Sequence, residues 1–157
     1  MFPGMKRKDR EVSKERCMEV LKSCQYGIIS TLGENGYPCG TPFSHVADDE
    51  KIYIHFGSGV PGNVMKSILN CNKVGFTCVG GADTIQSDFG MNYISVMVQG
   101  RAELIRGTDA EHIFRRFVDK YCPSYIKEGY EYAPKHMKAA SIAAITIEHI
   151  SGKSKDM

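Results

Sequence analysis

No apolar run in this 157-residue chain approaches the length of a membrane span. The N-terminus has no apolar core of the kind a secretory signal carries. A cytoplasmic protein with no membrane partner is therefore expected. Charge of one sign is also scarce. Twenty Lys and Arg against 18 Asp and Glu leave a net +2, which gives no reason to invoke nucleic acid. The basic residues that do cluster, Lys6, Arg7, Lys8 and Arg10, are interrupted by Asp9 and Glu11, so residues 1–10 read as a flexible or dimer-contacting arm. The six cysteines at 17, 24, 39, 71, 78 and 122 contain no C-x-x-C pair, so no zinc ribbon or thioredoxin-type motif is supported and no metal is expected. They are expected to be reduced and mostly buried. There is no internal repeat, low-complexity tract or linker, and residues 1–157 read as one domain.

What the chain does have is a legible stretch over residues 26–58, read as three consecutive antiparallel strands. The first, Tyr26 to Leu32, ends at Gly33-Glu34-Asn35-Gly36. The second, Tyr37 to Val46, ends at Asp48-Asp49-Glu50. The third, Lys51 to Gly57, alternates Ile52, Ile54 and Phe56 with Tyr53 and His55. Period-two alternation bounded by Gly, Asn and Asp is the signature of strands and hairpins. Gly57-Ser58-Gly59-Val60-Pro61-Gly62-Asn63 then leads into a helix predicted over Pro61 to Leu69, with proline at its favoured first position. A strand feeding a glycine loop and a helix N-terminus presents backbone N–H groups to an anion. The pattern predicts a phosphate-bearing ligand on a small β-barrel.

Elsewhere, Cys17, Val20, Leu21 and Cys24 form the apolar stripe of a helix over Ser13 to Ser23. Lys73 to Val79 reads as a strand, and Gly80-Gly81-Ala82-Asp83 as the start of a polar connection to Asn92. Tyr93 to Ile105 is the longest strand, with a bulge or bend expected at Gly100. Thr108-x-x-Glu111 is a capping box opening a helix that Pro123 stops. Ser124 to Lys138 reads as a loop with one short helix, and Ser141 to Ile150 as the last strand. The sum is a mainly β fold, a six-stranded antiparallel barrel with flanking helices.

The ordered set Met5-Lys6-Arg7-Lys8-Asp9-Arg10, Tyr26-Gly27, Ser30-Thr31, Gly36-Tyr37-Pro38, Pro42-x-Ser44, Ile52-Tyr53-Ile54-His55, Asn72-Lys73-Val74, Ser95-Val96-x-Val98-x-Gly100-Arg101-Ala102-Glu103 and Ile147-Glu148-His149-Ile150-Ser151-Gly152-Lys153 spans nearly the whole chain. It resembles the pyridoxamine 5′-phosphate oxidase-like FMN-binding split barrels, and within them the nitroimidazole-resistance branch. The resemblance implies a homodimer with FMN held between subunits. It implies that Thr41, Pro42, Phe43 and Ser44 meet the flavin ring, largely through backbone groups, with His45 beside them. It implies that His55, Phe56, Gly57 and Ser58 lead into the phosphate site, and that Ser95 lies near the cofactor. In place of the family's basic residue at the helix start stands Val60-Pro61-Gly62-Asn63, which leaves Asn63 and Lys66 to meet the phosphate.

The function implied is that of an FMN-dependent oxidoreductase reducing a small organic acceptor such as a nitroaromatic. His55 is its candidate proton-transfer residue, because imidazole titrates near neutrality. A strand histidine without function is the plain alternative for His55. Three other readings of the whole remain at this point. One is a pyridoxamine 5′-phosphate oxidase-like oxidase. Another is a flavin- or haem-binding module without turnover, in which His45, His55 or a cysteine ligates iron. The last is a ligand-free dimeric scaffold.

Overall fold

A computed structural model of the protein describes residues 2, 4–57, 62–137 and 140–156. The alternating segments assemble into one antiparallel sheet of β1 (Gly27–Leu32), β2 (Pro38–Phe43), β3 (His45–Ala47), β4 (Lys51–Phe56), β5 (Lys73–Ile85), β6 (Gly90–Ile105) and β7 (Ser141–Lys155). Across the sheet they run β2-β1-β5-β6-β7-β4-β3. The two edge strands, β2 and β3, are separated in sequence by Ser44 alone. The sheet therefore curls until both edges belong to one bent stretch of chain, which pairs first with β1 and then with β4. Counting that stretch as one strand recovers the expected six and makes the fold a split barrel.

The inner face of the sheet holds the main core. Ile29, Ile52, Ile54, Phe76, Val96 and Ile145 pack there with the stripe of α1 (Lys14–Ser23). Each fully buried aliphatic or aromatic side chain of this kind stabilises by about 1.5–3 kcal/mol. Ser13 caps α1, its Oγ accepting from the Arg16 N–H at 3.2 Å. A second cluster lies on the outer side of β3, β4 and β7. There Val46, Tyr53, Ile142 and Ala144 meet Ala110 and Phe117 of α3 (Thr108–Tyr121). The start of β7 is buried on both faces, which is why Ile142-Ala143-Ala144-Ile145 is apolar without alternation. No helix among the described residues is long and apolar enough to cross a membrane.

Several predicted boundaries move. The connection expected over residues 80–92 is instead a continuation of the β5–β6 hairpin, paired down to Ile85↔Gly90. Gly80 marks a bulge in it rather than a turn, since the register shifts between Val79 and Gly81. A Cβ at Gly80 would come 3.0 Å from side chains of both Val20 and Ile94, so glycine answers a close approach there. The capping box at Thr108 does not form. Gly107, at φ +69°, takes the N-cap position, and Glu111 pairs with Arg115 at 2.8 Å. Residues 126–136, read as mostly loop, form α4 (Ile126–His136), and the final strand runs five residues further, to Lys155. At the end of the arm Arg10 reaches the Tyr93 hydroxyl at 3.4 Å, and Glu11 just beyond it bridges to Lys153 on β7.

Candidate functional site

The glycine-rich turn after β1 shapes one wall of the site. The Gly33 N–H donates to Tyr37 O at 2.8 Å, and the Gly36 N–H to Gly33 O at 2.9 Å. Gly36 sits at φ +80°, where a side chain is disfavoured. This turn sets the register Thr31↔Cys39 and Ile29↔Thr41. Thr31, Cys39 and Thr41 therefore share the inward side of the pleat.

The opposite wall is α2 (Asn63–Asn70). Its buried Met65 and Ile68 fix it on the barrel, leaving Asn63, Val64, Lys66 and Ser67 along the gap. The result is a groove of about 460 Å³ between β1, β2 and α2, with Glu34 and Asn35 at its rim. The start of α2 is uncapped: Gly62 occupies the N-cap position, no side chain bonds the first turn, and that turn holds no acidic residue. The helical bonding begins with the Lys66 N–H to Gly62 O at 3.1 Å. The N–H groups of Asn63, Val64 and Met65 thus have no carbonyl within the helix. A partial positive charge at a helix start favours an anion. Lys66 adds a full positive charge to the groove, and Glu34 sets one negative charge against it.

The sequence-predicted residues do not all converge here. Thr41, Asn63 and Lys66 line the groove. Pro42 and Ser44 are exposed on and just after β2. Phe43 and Phe56 stack edge to face, centroids 5.4 Å apart, at the margin of the main core. Gly57 is exposed directly after β4, and Ser58 lies outside the described residues. Ser95 faces away, beside a cavity of about 150 Å³ shared with Thr77, Met97 and Lys153.

The two histidines lie elsewhere again. The His45 ring is fully buried, with Nε2 2.7 Å from Leu21 O. That nitrogen carries the proton and donates, while Nδ1 is buried without a partner. Burial, with a smaller push from the Lys120 ammonium, lowers its pKa to about 4. His55 alternates with Phe56 and so points to the outer side of β4, against α3 and α4. Its Nε2 lies 2.9 Å from His136 Nε2, and His136 Nδ1 lies 2.8 Å from the Tyr132 hydroxyl. Only one proton fits between the two Nε2 atoms. Burial first, and then His136, lowers the His55 pKa to about 4. Neither ring lines the groove.

Sequence reading missed Thr31, Cys39 and Ser67. The signal for Ser67 was available, since it follows Asn63 by four residues and shares its helix face. The other two follow from the hairpin register, which requires knowing the turn geometry. Gly57, Gly59 and Gly62 also fall at G-x-G-x-x-G spacing between a strand and a helix. All strand pairings among the described residues are antiparallel, however, so these residues form no βαβ unit to make a dinucleotide site of that spacing.

The groove and barrel can be set beside known proteins. A family model described as pyridoxamine 5′-phosphate oxidase matches residues 13–154. No curated protein matches the chain. Among solved structures, the chain is similar to a candidate 5-nitroimidazole antibiotic resistance protein from Bacteroides thetaiotaomicron. The two are 17% identical with a TM-score of 0.72, over 91% of this chain and 85% of that one. It is similar to the flavocytochrome Anf3 from Azotobacter vinelandii, 23% identical with a TM-score of 0.80, over 98% of this chain and 73% of that one. It is also similar to an FAD and haem binding protein from Mycobacterium smegmatis, 19% identical with a TM-score of 0.73, over 94% and 74% of the two chains. At these identities the likeness is one of fold.

Proposed function

The chain belongs to the pyridoxamine 5′-phosphate oxidase-like family of split barrels, and from that premise we propose that it binds FMN and serves as an oxidoreductase on a small organic acceptor such as a nitroaromatic. The observation that carries this reading is the uncapped start of α2, open to the same groove as Thr41, Asn63 and Lys66. A phosphate dianion suits free N–H groups, an amide and an ammonium together. The flavin ring is assigned to β2. As an edge strand, β2 has backbone groups from Gly40 to Phe43 that pair with no strand among the described residues on the side away from β1. FMN, when bound, supplies the electron-transfer chemistry. The chain's own residues are asked to bind and orient. Lys66 and Asn63 hold the phosphate, Thr41 donates from the strand wall, and Glu34 at the rim restrains affinity. His55 has no part in this reading, because its Nε2 is engaged by His136.

The reading extends to a homodimer. The outer face of β1, β5 and β6 carries Ile28, Val79 and Met97, each 43–56% exposed, with Ser95 on the same face. A second copy covering that face would bring Ser95 to an interface beside the cofactor.

The test is titration of the full-length protein with FMN, followed by flavin fluorescence. Saturable quenching at one FMN per chain is expected. Lys66→Ala should weaken binding about tenfold or more, since a hydrogen bond to a charged group contributes about 1.5–3 kcal/mol. Holoprotein reduced chemically under anaerobic conditions should be reoxidised by a nitroaromatic. Absence of quenching at tens of micromolar sinks the flavin reading, and reduced holoprotein inert to the acceptor sinks the oxidoreductase part alone.

A further inference from the structure

Thr31 is 4% exposed, and its Oγ1 is buried without a hydrogen-bond partner. An unpaired buried hydroxyl is unfavourable, and folded proteins pair most such groups. Valine has the same shape and carries no such penalty, so packing alone gives no reason for threonine here. Two other buried side-chain atoms among the described residues lack a partner, His45 Nδ1 and Arg115 Nε, and neither residue lines the groove. Thr31 does line it, directly across the ladder from Cys39 and facing the α2 wall of Asn63 and Lys66.

The surroundings identify what the hydroxyl lacks. Lys66 offers only donors, and the N–H groups that open α2 are donors too. A further donor among them has use only if the occupant is rich in acceptors. A phosphoryl group accepts at every oxygen and donates at none when fully ionised. It therefore completes a set in which Thr31, Thr41, Asn63, Lys66 and the start of α2 can all donate, with the Glu34 carboxylate at the rim as the acceptor-only side chain among the groove residues. We infer that Thr31 is a ligand-binding residue whose hydroxyl donates a hydrogen bond to a phosphoryl oxygen seated at the start of α2. The name of the ligand rests on the FMN reading above, whereas the chemistry of the contact rests on the groove alone.

The experiment compares full-length wild type with Thr31→Val and Thr31→Ser. Three quantities are read: melting of the protein without ligand, affinity for FMN, and affinity for riboflavin, which lacks the phosphate. Without ligand, T31V is expected to melt at or above the wild-type temperature, because it removes an unpaired group without changing shape. Its affinity for FMN should fall about tenfold or more, its affinity for riboflavin should hold, and T31S should bind FMN nearly as wild type does. T31V binding FMN like wild type overturns the inference. So does a T31V that melts lower and loses FMN and riboflavin alike, since that is packing. If wild type binds neither flavin, the function proposed above fails, and inorganic phosphate becomes the probe, read by thermal shift. A wild-type shift that T31V abolishes then supports the contact on its own, and no shift in wild type overturns both.

Discussion

Gly100 shows how one residue can be required by the path of a neighbouring strand. A Cβ placed on it would lie 2.1 Å from Thr146 O, a backbone atom that cannot swing aside. It stands where β6 and β7 lose register: Gln99 pairs with His149 and Gly100 with Ile147, leaving Glu148 as the extra residue. Gly100→Ala should therefore cost about 1–3 kcal/mol in denaturant unfolding, the range for overpacking a tight site. Gly57→Ala, with nothing within 4 Å, should be close to neutral as the control. Equal stabilities for the two variants would remove the steric argument. An irregularity at Gly100 was legible from a glycine set inside a long alternating run, though the extra residue falls on β7, at Glu148 opposite it. Gly80 was not, because Gly80-Gly81 followed by Ala-Asp has the composition of a turn, and only its approach to Val20 and Ile94 makes it a bulge.

Between elements, β3 is held from two sides at His45. Its ring donates to Leu21 O of α1, its backbone N–H donates to the Tyr121 hydroxyl at 2.9 Å, and its carbonyl accepts from Lys120 Nζ at 2.9 Å. This joint is pH-sensitive in a definite direction. The His45 pKa is about 4 in the folded protein against an ordinary 6.5. Between those values the unfolded chain binds a proton that the folded one refuses. Stability is thus highest above about pH 6.5 and declines as pH falls toward 4, by at most about 1.4 kcal/mol per pH unit for each such group. His55 is lowered likewise and acts in the same sense. Denaturant unfolding at about pH 7 and pH 5 should show the loss, and His45→Gln should narrow the gap even if it lowers stability at both values. An unchanged gap in that variant would mean His45 does not titrate in this window. The element that sequence reading underestimated, α4, buries only Ala133. It approaches α3 so closely at Gly129 that a Cβ there would meet Val118 at 2.4 Å. Its other ring contacts run through Tyr132 and His136, which meet Phe114 and His55, and polar aromatic residues interleaved with charges do not stand out as an apolar stripe in the sequence.

On the scale of the whole molecule, an open sheet face carries apolar side chains toward solvent. Ile28, Thr77 and Met97 are register neighbours across β1, β5 and β6, all on the outer side. Exposed apolar surface spread over adjacent strands marks an interaction site more often than a free surface. Light scattering at micromolar concentration should give the mass of a dimer. Met97→Lys should shift it toward monomer, and it should weaken FMN binding as well if the proposed dimer holds the cofactor between subunits. A wild-type monomer counts against the dimer, and a dimeric M97K moves the interface to another face.

The amino-acid sequence alone determined the order and type of most elements, because the alternation of Ile52, Ile54 and Phe56 and the stripe of Cys17, Val20 and Leu21 are local periodicities set by backbone geometry. It also located the helix that lines the groove, since a glycine loop feeding a helix is a local signal. Tertiary structure alone decided that the stretch through Ser44 serves both edges of the sheet, that His45 and His55 are engaged in packing, and that Thr31 lies across from Lys66. Each of these depends on which strand lies beside which and on which face of the pleat is covered. Such relations join residues far apart in the chain, through contacts that leave no repeating mark in the sequence.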